Sequence, residues 1–138
     1  MENVDAIVIS NWTSLAALPY YTEGTGFRGK IFTTEPTLQF GSLIMEEMLE
    51  YFERININPV DDRWKEPDVY HMFPNFPTNS PRGWRPCYDR QTMDASLARI
   101  TTITFRETVE VEGVSLSCFG SGFSIGSANW LIHTPQEK

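Results

Sequence analysis

Histidine and cysteine are scarce in this 138-residue chain, with only His71, His133, Cys87 and Cys118 to represent them. Two widely separated cysteines cannot form the disulfide framework of a small secreted domain. No charged segment followed by an apolar stretch and a small-residue cleavage site opens the chain, which points to a reducing, intracellular setting. Asn11-Trp12-Thr13 fits the glycosylation sequon, but that triplet matters only in a secreted protein. Two histidines cannot by themselves assemble a multi-imidazole metal centre, and each reads as a solvated or packing side chain. Cations are few as well, eleven Lys and Arg against eighteen Asp and Glu, for a formal net charge of -7. A surface of that sign repels a phosphate backbone unless a basic patch is concentrated. Arg82, Arg85 and Arg90 lie close together, yet Asp89 and Asp94 are interspersed, so any contact with nucleic acid is expected to be indirect. No apolar run is long enough to cross a bilayer, and neither an internal repeat nor a low-complexity tract is present.

What the chain does have is a composition of 41% hydrophobic and 13% aromatic residues, enough for one ordinary core. Val4 to Ser10 is a short β-branched run of the kind that forms a strand buried on both faces, which predicts a parallel or mixed sheet. Leu15 to Tyr21 reads as a compact helical or turn segment closed by Gly24, Gly26 and Gly29, and Lys30 to Thr33 as a second strand. Thr34-Glu35-Pro36 combines an N-cap candidate, a first-turn acid and an early proline, the signature of a helix start. Gly41, Ile44, Met45, Met48, Phe52 and Ile55 then recur at three- and four-residue steps, with Glu46, Glu50 and Glu53 opposite, so the stripe is expected to be core.

Residues 56–86 hold prolines at 59, 67, 74, 77, 81 and 86, and read as an insertion loop with at most one short helix near Asp68 to Phe73. A further helix is predicted over Thr92 to Ile100, with Met93, Leu97 and Ile100 on one face. Strands follow at Thr101 to Phe105, Glu107 to Val111, Val114 to Phe119 and Asn129 to Thr134, the middle two joined by a tight turn at Glu112-Gly113. The order suits a layered α/β architecture, but the closing run of strands excludes a doubly wound sheet.

Common catalytic arrangements find little support. Cys118 sits in the apolar alternation Val114, Leu116, Cys118, where a buried structural thiol is the better reading than a nucleophile. Gly120-Ser121-Gly122-Phe123 and Gly126 lack the Gly-Lys-Ser/Thr ending of a phosphate loop.

Two stretches nevertheless carry a family signal: Val-Ile-Ser-Asn-Trp-Thr-Ser-Leu-Ala-Ala-Leu-Pro-Tyr-Tyr at 8–21, and Ser-Cys-Phe-Gly-Ser-Gly-Phe-Ser-Ile-Gly-Ser-Ala-Asn-Trp at 117–130. Both resemble the metallo-β-lactamase and β-CASP family of RNA 3′-end processing nucleases. In active members the first stretch is a strand, then His-x-His-x-Asp-His and a Gly-Ala-Leu-Pro turn, and the second is a strand, then His-Ala-Gly-His-x-x-Gly-Ala. Two zinc ions sharing a hydroxide need several imidazoles and a carboxylate converging at about 2.0–2.2 Å. Here Asn11 and Thr13 stand near the first two histidine positions, the Asp-His pair has no clear counterpart, and Gly120 and Phe123 occupy the later ones. The resemblance therefore implies a partial αββα sandwich spanning 1–138, truncated at both ends, with no catalytic, cofactor-binding or metal-ligating residue assigned.

Ala17-Leu18-Pro19-Tyr20, Thr34-Glu35-Pro36-Thr37, Trp84-Arg85 and Gly126-Ser127-Ala128-Asn129-Trp130 look most similar to the inactive Integrator branch of this family. That likeness implies a nuclear, non-catalytic scaffold pairing with a catalytic Integrator nuclease paralogue, Integrator subunit 11, and with other Integrator subunits, in processing small nuclear RNA 3′ ends and cleaving RNA polymerase II transcripts. The rival readings are a working metal-dependent hydrolase and a pseudo-nuclease of the cleavage and polyadenylation factor. A domain lacking its neighbouring strands is expected to expose an uncovered sheet edge that favours association.

Overall fold

The apolar run at the start of the chain becomes a strand only over Ala6–Val8 (β1), and it pairs in parallel with Lys30–Thr33 (β2). On its other side β2 pairs in parallel with Ile100–Thr102 (β3). The computed structural model describes residues 1–57, 59–75 and 78–135, with the backbone alone at 55–57 and 59–61. The expected parallel sheet is present, but β1 is an edge strand whose three residues are half-buried. Burial on both faces belongs to the central β2, where Ile31, Phe32 and Thr33 are all enclosed.

Side chains alternate along a strand, and on β2 that alternation divides the interior in two. Ile31 packs in a cluster with Ile9, Leu15, Leu18, Phe27, Met45, Leu49 and Met93, the side chains of the helical layer and the strand ends. Phe32 belongs to a second cluster with Ile103, Val111, Leu116, Cys118 and Ala128. The latter come mainly from an antiparallel sheet of Thr108–Val111 (β4), Val114–Gly120 (β5) and Ala128–His133 (β6), in that order. Each fully buried Leu, Ile or Met contributes roughly 1.5–3 kcal/mol relative to exposure. Helices cover one face of the parallel sheet and the second sheet covers the other. The α/β class is as expected, while two sheets of three strands are too small to display a complete αββα sandwich.

The turn between β4 and β5 is the predicted hairpin, with φ of +47° at Glu112 and +80° at Gly113. Both values suit the primed turns whose twist matches the flanking strands.

The helices are Trp12–Leu15 (α1), Leu18–Thr22 (α2), Glu35–Ile57 (α3), Pro67–Tyr70 (α4), which buries no residue, and Arg90–Leu97 (α5). Sequence periodicity placed the core stripe of α3 partly on the wrong flank. The enclosed positions are Thr37, Gly41, Met45 and Leu49, whereas Ile44 is 41% exposed and Met48 and Phe52 are only partly covered. The side chain of Ile55 lies outside the described residues. A polar Thr37 in the core misled the count, because its hydroxyl is satisfied by a carbonyl from another loop. Ile100 is likewise not on the last turn of α5: the helix, capped by the Asp89 carboxylate accepting from Thr92 N at 2.7 Å, stops at Leu97, and Ile100 opens β3.

The proline-rich stretch is more ordered than its composition suggested. Besides α4 it contains 3-10 turns at Pro59–Lys65 and Pro81–Gly83, so the expectation of at most one short helix is corrected. The reason is that Pro59, Pro67 and Pro81 each occupy the first position of a helical turn, where the missing N–H costs nothing and the fixed φ helps. Residues 58, 76 and 77, including Pro77, fall outside the described residues. Tyr20 and Tyr88 tie this stretch to the α1–α2 turn. Tyr20 donates to the Cys87 carbonyl at 2.9 Å, Tyr88 to the Ala16 carbonyl at 3.1 Å, and the two rings meet edge to face at 5.9 Å. Burial, followed by the neighbouring Cys87, pushes the Tyr88 phenol up to about 12.

At Gly41 the α1 segment rests directly on α3: an added Cβ would stand 2.2 Å from Leu15 Cδ2 and 2.9 Å from Leu15 Cβ. Replacing glycine by alanine inside a helix ordinarily stabilises by about 0.5–1 kcal/mol. Gly41→Ala is expected to do the opposite, destabilising by about 1–3 kcal/mol through overpacking, as measured by urea unfolding.

Candidate functional site

The carboxyl ends of parallel strands are where open α/β sheets usually place their ligands. Here the chain leaving β1 and the turn leaving β5 meet at that end of the parallel sheet. The backbone of Ala128 donates to the Ser10 carbonyl at 2.8 Å, joining residues just beyond β1 to the first residue of β6. The start of α3 closes the third side. Thr34 and Thr37 both donate their hydroxyls to the Gly126 carbonyl, at 2.5 and 3.0 Å, and all three residues are buried.

Each turn is tied to itself as firmly as to its neighbour. Asn11 is extended, with φ of -157° and ψ of 167°, and caps α1. Its Oδ1 accepts from the backbone N–H groups of Thr13 and Ser14 at 3.0 and 3.3 Å, and also from the Thr13 hydroxyl. In the opposing turn the Ser127 hydroxyl accepts from Ser124 N at 2.8 Å and from the Ser121 hydroxyl at 2.7 Å, while donating to the Ser124 carbonyl at 2.7 Å. The Ser121 backbone donates to the Ser127 carbonyl at 3.0 Å, closing the loop at its base. Gly126 allows this closure. Its φ is +79°, and an added Cβ would lie 2.7 Å from Pro36 Cβ and 2.8 Å from Thr37 N.

The positions singled out in the sequence thus fall into two groups. Asn11 and Thr13 are brought to the meeting point but bond to one another. Gly120 ends β5 opposite Ala128, and Phe123 projects from the turn at 72% exposure. The histidines are elsewhere: His71 follows α4 with its ring 4.5 Å from that of Tyr70, and His133 closes β6, about 17 Å along the strand from Ala128. Cys118 points into the core between the sheets, where burial, with a smaller contribution from Glu107, raises the pKa of its thiol. It is a structural thiol. Among the described residues no three His, Cys, Asp or Glu side chains lie close enough together to share a metal ion.

Residues 10–14 and 120–127 contain no titratable side chain. Their chemistry is that of amides and hydroxyls, which bond to carbonyls, backbone N–H groups and one another, except that the buried Ser124 hydroxyl has no hydrogen-bond partner. Thr34, Thr37, Ser121 and Ser127 were missed by sequence reasoning as partners in this junction. The available signal was the density of hydroxyl residues in the two stretches. Beside the junction is a cavity of about 260 Å³ lined by Trp12, Phe40, Ser124 and Ile125.

No protein-family model matches the chain. It is similar over its whole length to Integrator complex subunit 9: 36% identical to the Mus musculus and Homo sapiens proteins across 141 aligned residues, which cover 100% of this chain and 21% of each relative. The Dictyostelium discoideum homolog of that subunit is 32% identical over 96% of the chain and 21% of its own length. A weaker similarity, 25% identity over 96% of the chain, connects it to cleavage and polyadenylation specificity factor subunit 3 of the same organism, of which it covers 14%. The chain spans about a fifth of the length of the Integrator relatives it matches. The likeness to the Integrator branch that the motifs implied is therefore present along the chain and is not confined to the two stretches.

If the Gly126 carbonyl is the fastener of this junction, a side chain there must break it. Gly126→Ala is expected to destabilise by about 2–4 kcal/mol, from a strained positive φ together with the clash against Pro36 and Thr37. Guanidinium unfolding measures this, and a loss below that of an exposed glycine substitution such as Gly83→Ala would exclude a fastening role.

Proposed function

Since this chain is homologous along its full length to a segment of Integrator complex subunit 9, we propose that it acts as a non-catalytic, architectural part of an Integrator assembly. The observation that carries this reading is the state of the two turns. A binuclear hydrolase needs unprotonated ligand atoms whose lone pairs are free to meet a metal. Asn11 and Thr13 instead bond to one another and to the cap of α1, and Gly120 and Phe123 have no ligand atom to offer.

Its partners on this reading are a catalytic Integrator nuclease paralogue, Integrator subunit 11, and other Integrator subunits, and its setting is the nucleus. Its contribution to processing of small nuclear RNA and other RNA polymerase II transcripts is to hold the active subunit in place. The net charge of -7 supports indirect contact with RNA. Among the described residues no helix is long and apolar enough to cross a membrane.

Full-length gene product carrying an affinity tag is expected to co-purify with the other Integrator subunits from nuclear extract. Recovery of the tagged protein without any of them would remove the assembly role. The 25% similarity to cleavage and polyadenylation specificity factor subunit 3 is the observation in favour of a second reading, a metal-dependent hydrolase. Elemental analysis separates the two. The scaffold reading expects well under one zinc ion per chain and no chelator-sensitive RNA cleavage, whereas a content near two ions together with such cleavage would establish the hydrolase.

A further inference from the structure

Beyond its enclosed stripe, α3 carries a second apolar row on its outer side. Phe40, Ile44 and Tyr51 follow at helical spacing, are 44%, 41% and 54% exposed, and are flanked by Leu43 at 58%. Single exposed apolar residues are ordinary on a protein surface; a row of them on one helix flank is not. Phe40 and Tyr51 are separated by about 16 Å along the axis, three helical turns. Each lines a cavity: about 260 Å³ with Trp12, Ser124 and Ile125 at the first, and about 410 Å³ with Phe52, Gly83, Trp84 and Arg85 at the second.

Charge and backbone chemistry restrict what can lie there. Glu47 sits within the row, and Glu46, Glu50 and Glu53 occupy the adjoining exposed face, against two guanidinium groups, Arg54, paired to Glu50 at 2.7 Å, and Arg85 at the second cavity. That balance selects a cationic partner. The backbone groups of α3 are engaged within the helix, so an extended segment would find no sheet edge to extend, and a partner must satisfy its own backbone. We infer that the outer flank of α3 is a docking surface for a basic amphipathic helix of a partner protein, its apolar side chains entering the two cavities and its cations facing Glu47 and Glu50. This inference rests on the outer flank of α3 and the two cavities beside it, and holds whether or not the assembly role proposed above is correct.

The test uses this chain and fluorescein-labelled 18-residue peptides with leucines at alternating three- and four-residue spacing. One peptide is flanked by lysines and one by glutamates, and a third is a scrambled version of the lysine peptide. Fluorescence anisotropy is expected to show binding of the lysine peptide alone, weakening as salt is raised. Ile44→Asp should weaken it by about tenfold or more, and Glu47→Lys combined with Glu50→Lys should transfer the preference to the glutamate peptide. Both variants alter exposed residues, and circular dichroism checks that they fold. Equal binding of all three peptides, or binding indifferent to both variants, overturns the inference. So does sedimentation showing that the chain dimerises and that Ile44→Asp abolishes the dimer, which would assign the face to a second copy.

Discussion

The turn between β5 and β6 is fastened to the start of α3 through the Gly126 carbonyl and to the parallel sheet through the Ala128 N–H. The carbonyl receives the hydroxyls of Thr34 and Thr37 from the first turn of α3, while two residues later the backbone of Ala128 reaches the Ser10 carbonyl beyond β1. Helix, parallel sheet and antiparallel sheet therefore meet within a few residues. A buried carbonyl left without a donor costs about 1–3 kcal/mol, so this pairing is worth more for what it avoids than for what it adds. It also fixes the start of α3, whose hydrophobic row must face Ile31 and Leu15 for the helical core to close. The enclosed Thr37 is thus the point where a hydrogen bond to a residue 89 positions away helps to set the rotation of a 23-residue helix.

The same constraint explains what could and could not be read from the sequence. Element order, the β4–β5 hairpin and the α3 start were legible, because strand composition, turn residues and first-turn chemistry are local properties. The rotation of α3 was not. Its core includes Thr37 and Gly41, one polar and one without a side chain, and a count of apolar residues therefore shifted toward Ile44. Gly41 is enclosed because Leu15 fills the space above it, a contact made across 26 residues of chain that no window reveals. In the proline-rich stretch the error ran the other way: prolines taken as interruptions begin the turns at 59, 67 and 81. Proline terminates a helix only when it arrives after the first turn.

For the junction itself, residue identity was legible and partnership was not. The amide at Asn11 and the glycine at 120 were plain in the sequence, as was the lack of imidazoles. That Asn11 would cap a four-residue helix, and that Ser121, Ser124 and Ser127 would knit the opposing turn together, depends on backbone conformations that follow from the tertiary fold. Hydroxyl side chains bond readily to nearby backbone groups, so a high density of them marks self-contained turns without saying which atoms pair.

Ligand-bearing turns and fastening turns make opposite demands on their polar atoms. A turn that presents a metal ligand must leave a lone pair unspent and pointing into a cavity, which weakens the turn and leaves it to be stabilised by the ion. A turn whose polar atoms bond internally is stable without an ion. Asn11, Ser127, Thr34 and Thr37 all follow the second pattern. The surface left over at this end of the molecule is apolar: Phe123 and Ile125 stand 72% and 70% exposed on the turn that Ser127 ties down. Exposed apolar groups on a rigid support lose little conformational freedom when covered, which favours association. In this chain the bonded polar atoms of the junction point inward at the fold, and Phe123 and Ile125 take the exterior.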